Sequence, residues 1–163
     1  MEKGYQKKAG RKLSALACVI LVISLMVTLT ACRTREPVTS DVFKEKAEDL
    51  GYTVSNITDQ YAQYTYILKC VGFETDSIHM EFFEIDSSDN AVSFFDANKT
   101  QVETYKSSGT TETSVSVNSY QKYTLKTQEK YYIVVQVGTT AIYSYCDKSE
   151  SEQLDNLIKA IDY

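Results

Sequence analysis

Tyr131-Tyr132-Ile133-Val134-Val135-Gln136-Val137-Gly138-Thr139-Thr140-Ala141-Ile142-Tyr143-Ser144-Tyr145-Cys146 is the stretch on which the fold turns. Two runs of β-branched and aromatic residues flank a Gly-Thr-Thr connection. Such residues suit a pleated, partly buried surface, and so short a connection joins antiparallel neighbours. Upstream, Tyr120–Lys126 is a third run of the same kind, linked through a turn at Thr127–Lys130, and Ser114–Asn118 is a fourth. Downstream, Ser149 to Ile161 changes period. Leu154, Leu157, Ile158 and Ile161 form a helical stripe behind a Ser149…Glu152 capping box.

The first half of the chain repeats these signals. Asp41–Leu50 reads as a helix, with Phe43, Ala47 and Leu50 on one face and Gly51 as its stop. Strand-like segments follow at Tyr52–Ile57, Tyr61–Val71 and Ser77–Ile85; the last alternates Ile78, Met80 and Phe82 against His79 and Glu81. Asp86-Ser87-Ser88-Asp89-Asn90 then opens a helix whose apolar positions are Ala91, Phe94, Phe95 and Val102, and Lys106–Thr113 reads as a polar loop. The order α-βββ-α-ββββ-α predicts an α+β domain over residues 41–163. It should hold a largely antiparallel sheet with about three helices packed on one side. Glu84-Ile85-Asp86, ahead of one helix, echoes Tyr145-Cys146-Asp147, ahead of another, which suggests a weak internal αβ repeat.

Charge divides unevenly along the 163 residues. Residues 1–31 carry Lys3, Lys7, Lys8, Arg11 and Lys12 against Glu2, a net of +4, so the remainder has a net of −9. An acidic body of that size repels phosphate backbones and argues against a nucleic-acid partner. Twelve of the thirteen tyrosines and all six phenylalanines lie beyond Cys32, enough aromatic surface for a real core.

Four bases between Lys7 and Lys12 precede an uncharged run from Leu13 to Ala31 that ends in Leu29-Thr30-Ala31-Cys32. This resembles the lipobox of bacterial lipoproteins: Leu at −3, small residues at −2 and −1, then Cys, with Thr30 standing where Ala or Ser is more usual. The resemblance implies a signal peptide over 1–31, cleavage before Cys32 and lipid on the Cys32 sulfur. The domain would then sit outside the cytoplasm on a short tether, residues 32–40, with the membrane as its first partner. Two or three acyl chains give lasting attachment, at roughly 0.8 kcal/mol per buried methylene. An uncleaved membrane helix is the competing reading of the same run, because its length meets the ~20 residues a bilayer needs. Both readings place the domain on the same side.

Chemistry-bearing constellations are few. His79 is the lone histidine, which argues against multi-histidine metal sites and weakens any histidine-based triad. Asp86, Asp89 and Asn90 are oxygen ligands in type, but they lack EF-hand spacing, and helix capping explains Asp86 and Ser87 equally well. The glycines never cluster into a phosphate loop, and nothing calls for a cofactor or a metal. Cys70 and Cys146 could form a disulfide if their Cα atoms lie within about 7 Å, or serve as two buried small side chains. The tyrosines are the most unusual feature. Tyr64 and Tyr66 should share a face with Leu68, and Tyr143 should share one with Tyr145. A tyrosine offers an apolar ring with a polar tip, which suits a recognition surface. The leading expectation is therefore a non-catalytic binding or accessory module that recognises an envelope protein, peptide or glycan through Tyr64, Tyr66, Tyr143 and Tyr145. A small hydrolase or isomerase using His79 and nearby carboxylates, and a structural component of an envelope complex, are the alternatives.

Overall fold

A computed structural model describes residues 35–163; the predicted signal peptide and Cys32 lie outside the described residues. Helix α1 spans Ser40–Asp49, followed by strands β1 (Ser55–Asn56), β2 (Ile67–Glu74) and β3 (Ile78–Ile85), helix α2 (Ser88–Glu103), strands β4 (Thr111–Val117), β5 (Tyr120–Lys126), β6 (Lys130–Val137) and β7 (Thr140–Asp147), and helix α3 (Ser151–Ala160). The seven strands form one sheet in the order β1-β2-β3-β7-β6-β5-β4, and every neighbouring pair is antiparallel. The α+β class, the antiparallel sheet and the three helices are as the sequence predicts.

The Gly138–Thr139 connection pairs Val137 directly with Thr140. Gly138 takes φ +55°, a left-handed conformation that costs glycine little and most residues more. Gly51 plays the corresponding part at the end of α1: with φ +90° it lets its own N–H reach the Glu48 carbonyl, and that of Tyr52 the Ala47 carbonyl.

Helix placement departs from expectation. α1 and α3 lie on one face of the sheet, where Phe43, Ala47, Leu154, Leu157 and Ile158 meet Met80, Phe82, Ile133, Val135 and Ile142. α2 lies on the other face, where Ala91, Phe94, Phe95 and Val102 meet Phe83, Val134 and Leu125. The physical reason is alternation. β3 is buried on both sides, with Ile78, Met80 and Phe82 on the first face and Phe83 and Ile85 on the second, so each face needs a cover. α2 also carries the chain from β3 to β4, which lies at the far edge of the sheet. The strand–Asp–helix passage occurs twice, but not as equivalent copies. The helices that follow Asp86 and Asp147 occupy opposite faces, and the odd sequence offset of the echo swaps inward for outward positions.

Local boundaries also differ. Ser55–Asn56 is all that pairs of the first predicted strand; the chain then makes a 3-10 turn at Thr58–Tyr61, and β2 begins only at Ile67. The predicted loop 106–113 contains the start of β4, whose seven residues are all exposed. The Ser149 capping box does not form: Lys148–Glu150 is a 3-10 turn and no side chain caps α3. Residues 35–40, expected to belong to the tether, lie on the domain. The Arg35 guanidinium sits 3.9 Å above the Tyr120 ring, the Val38 N–H donates to the Tyr163 hydroxyl, and the Ser40 N–H donates to Glu84.

Candidate functional site

The α2 face is where the fold leaves room. α2 packs against β3, β7, β6 and β5 on it, and between the helix and the turns that precede β2 lies a half-open cavity of about 490 Å³. One wall carries Tyr61, Tyr64 and Tyr66, the floor carries Glu81, Phe83 and Tyr143, and α2 closes the far side. Ligand cavities commonly occupy about 300–1,000 Å³, so this one is large enough for a small group.

Local hydrogen bonds hold the tyrosine wall in place. The Asn56 carboxamide oxygen accepts from both the N–H and the hydroxyl of Thr58. The Thr58 hydroxyl oxygen accepts from the Cys70 N–H at 2.9 Å, which ties the 3-10 turn to β2. Tyr64 N–H then donates to the Tyr61 carbonyl, Ile67 N–H to the Tyr64 carbonyl, and Asp86 N–H to the Tyr66 carbonyl. Three successive tyrosines are thereby set at tilted angles. Tyr61 and Tyr64 lie 6.5 Å apart at 38°, and Tyr64 and Tyr66 lie 5.9 Å apart at 54°. Tyr61 packs edge-on against Phe83 at 5.0 Å, while Tyr64 is 44 % exposed.

Glu81 and His79 stand next to each other on the same face of β3. Glu81 is only 8 % exposed. Its Oε1 lies 3.4 Å from His79 Nε2, and the Tyr61 hydroxyl also donates to its carboxylate. The hydrogen bond to Glu81 raises the His79 pKa above 6.5, against the lowering effect of burial. Burial, then the Glu81 contact, pushes the Tyr61 phenol up, and burial pushes Tyr143 up to about 12. These phenols stay protonated and keep their donors. His79 Nδ1 is buried with no partner among the described residues. The His79 ring stacks on Tyr145 at 4.8 Å and 14°, and the aromatic row continues through Tyr132 to Tyr105.

Of the four tyrosines singled out in the sequence, Tyr64, Tyr66 and Tyr143 come together in this cavity. Tyr145 lies two residues beyond Tyr143 on β7, against His79 rather than in the cavity wall. Tyr64 and Tyr66 reach the site from turns rather than from a strand, so strand alternation is not what pairs them. Leu68, expected beside them, sits where the β2–β3 register shifts and is 62 % exposed. Tyr61 and Glu81 complete the site; the alternation of β3 already put Glu81 opposite the apolar side, but nothing local marked it as buried.

Of the two readings of the cysteines, the disulfide does not form and the two buried small side chains are what the structure holds. Cys70 and Cys146 are both free and buried, and they point to opposite faces: Cys70 packs with Phe83 and Ala91, Cys146 with Ile78 and α3 residues. Burial raises the pKa of both thiols, Cys146 to about 11, so neither is primed as a nucleophile. Asp86 serves the start of α2, accepting from the Ser87 hydroxyl at 3.0 Å and from the Asn90 amide at 2.7 Å, while Ser87 caps the helix. Among the described residues no group of three or more His, Cys, Asp or Glu is placed to hold a metal ion, and no helix is long and apolar enough to cross a membrane.

Fold and site together define an α+β domain with a seven-stranded antiparallel sheet, closed on one face and bearing an aromatic, acid-floored cavity on the other. No protein-family model and no curated protein matches the chain. Two solved structures are similar to it. A GTP binding regulator from Thermotoga maritima has 14 % identity and a TM-score of 0.47, covering 79 % of this chain and 88 % of that one. The lipoprotein candidate LppA from Mycobacterium tuberculosis has 13 % identity and a TM-score of 0.26, covering 96 % of this chain and 95 % of that one. At these scores neither likeness carries an argument about function.

Proposed function

We propose that this protein is a non-catalytic binding module, tethered outside the cytoplasm by lipid on Cys32, that takes a ligand group into the cavity on the α2 face. The observation that carries the reading is the convergence of Tyr61, Tyr64, Tyr66 and Tyr143 on one half-open cavity. Tyrosine presents large contact area at small conformational cost, and one exposed ring among half-buried ones is a surface prepared for a partner. The envelope protein, peptide or glycan expected from the sequence would present a side group or chain end to it.

A panel of envelope glycans, short peptides and small organic ammonium salts, titrated against protein with labelled tyrosines, tests this. Saturable ring shifts centred on Tyr61, Tyr64, Tyr66 and Tyr143 are expected for at least one class. Shifts centred elsewhere, or none for any class, overturn it. For the anchor, mass spectrometry of the native N-terminus should find a lipid-modified Cys32; an intact Met1 start or an unmodified Cys32 contradicts it.

The His79–Glu81 pair supports a second reading, a small hydrolase or isomerase with Glu81 as proton acceptor. Glu81 faces the cavity, but its carboxylate is already engaged by Tyr61 and His79, and His79 is not part of the cavity wall. Turnover of a bound ligand that disappears in both Glu81→Gln and His79→Gln would favour this reading over the first.

A further inference from the structure

We infer that the group this cavity takes is an organic ammonium cation, a protonated or alkylated amine held between tyrosine faces and the Glu81 carboxylate. This rests on the proposed binding role and names its ligand chemistry. Glu81 is the single formally charged side chain in the cavity wall, which contains no lysine or arginine. Because Glu81 is nearly buried, its field is little screened by solvent. The groups that hold it, the Tyr61 hydroxyl and the His79 ring, are donors that leave its charge in place while the ring is neutral. Opposite, the amides of Asn90 and Asn98 each spend one N–H, on Asp86 and on the Phe94 carbonyl, which leaves their carboxamide oxygens as acceptors alongside one remaining N–H apiece.

The rings point the same way. Aromatic faces attract cations within about 6 Å through their quadrupole, and rings tilted to one another form walls around a guest rather than a stack. Tyr61, Tyr64 and Tyr66 are tilted at 38° and 54°. Elsewhere the protein supplies such cations itself: Arg35 over Tyr120, Lys99 and Lys106 over Tyr123, Lys126 over Tyr131, and Lys130 over Tyr145. The cavity has the same ring type, a buried carboxylate, and no cation in its wall. The acidic body of the chain would draw a cation toward it and repel phosphates.

The probe is choline, compared with dimethylbutanol, its uncharged carbon isostere, titrated into the intact protein in nonionic polyoxyethylene micelles. Choline should shift the rings of Tyr61, Tyr64, Tyr66 and Tyr143 and bind at least about tenfold more tightly than the isostere. That factor is what loss of one modest charge contact amounts to. Glu81→Gln should lower choline affinity by a similar factor, and Tyr64→Leu, at an exposed ring, severalfold with an unchanged melting temperature. Choline affinity should also rise with pH through the His79 titration, because an imidazolium beside Glu81 cancels its charge. The groups around that ring are Glu81 on β3, Glu74 across from it on β2, and Tyr143 and Tyr145 on β7. Equal affinity for choline and isostere overturns the assignment, as does unchanged choline binding in folded Glu81→Gln. Should Glu81→Gln fail to fold, the isostere ratio and Tyr64→Leu decide. If an uncharged sugar or peptide reaches the same rings and choline does not, the binding role stands and the cation falls. If no compound reaches them, both fall.

Discussion

The two faces of the sheet use aromatic residues in opposite ways. On the α1/α3 face, Phe82 is fully buried and stacks on Phe43 at 5.0 Å, and two helices cover the central strands, leaving the β4 edge exposed. On the α2 face a single helix must cover the same width, and the space it leaves is lined by three half-buried tyrosines and the exposed Tyr64. A closed layer is worth stability; an incompletely covered one, if its rings are held by hydrogen-bonded turns, is worth recognition. The difference is set less by residue hydrophobicity than by how many helices each face receives.

The largest effect that should sharpen this contrast is on the closed face. Phe82→Ala removes a fully buried ring and should cost about 3–5 kcal/mol in chemical denaturation. A loss below about 1 kcal/mol would mean that the layer is not the close-packed core it looks. Gly72→Ala comes next and should disturb both faces. Gly72 pairs with Glu81, and a Cβ there would lie 2.6 Å from the Met80 carbonyl oxygen, so β2 and β3 must move apart. A cost of about 1–3 kcal/mol is expected, together with shifted ring signals for Tyr61 and Tyr66. Normal stability with an undisturbed site would contradict the close approach.

His79→Gln should act through pH. The folded protein holds its proton more tightly than the unfolded chain, because the Glu81 contact raises the ring's pKa above 6.5. Its contribution to stability is therefore present in full below that ordinary value and is lost as pH climbs through the higher folded value. Melting curves across this range should slope downward for the native protein and flatten for His79→Gln; parallel curves would show that the pair does not form. The smallest stability effect is expected from Tyr64→Leu, within about 0.5 kcal/mol, since the ring is 44 % exposed, while ligand uptake falls. An unfolded Tyr64→Leu variant would make that ring part of the core.

Much of the architecture was legible locally. The Gly138 hairpin, the Leu154–Ile161 stripe and the Ser87 cap are signals within a few residues of one another, and all three stand in the structure as helix, hairpin and cap. Which face a helix would choose was not legible, because the doubly buried β3 reads the same whichever side α2 takes. Half the site was visible as tyrosines. Tyr64 and Tyr66 nonetheless looked like strand residues, since β-propensity outweighs the weaker turn signal of Asn56, Thr58 and Asp59. The burial of Glu81 depends on Tyr61 and α2, both distant in sequence, and periodicity carries no such information. The separation of Cys70 from Cys146 is likewise a matter of topology: only the strand order and register put them on opposite faces.

Tyrosines on both faces make one measurement decisive. Tyr120, Tyr131 and Tyr163 report from the closed layer, and Tyr61, Tyr64, Tyr66 and Tyr143 from the open one. Ring chemical shifts of the labelled protein, followed while the ligand panel is titrated, read the two sets together. Saturable changes in the second set with the first unmoved are the predicted result. Changes led by Tyr120, Tyr131 or Tyr163, with the cavity rings silent throughout the panel, would contradict the division of the sheet into a closed face and a binding face.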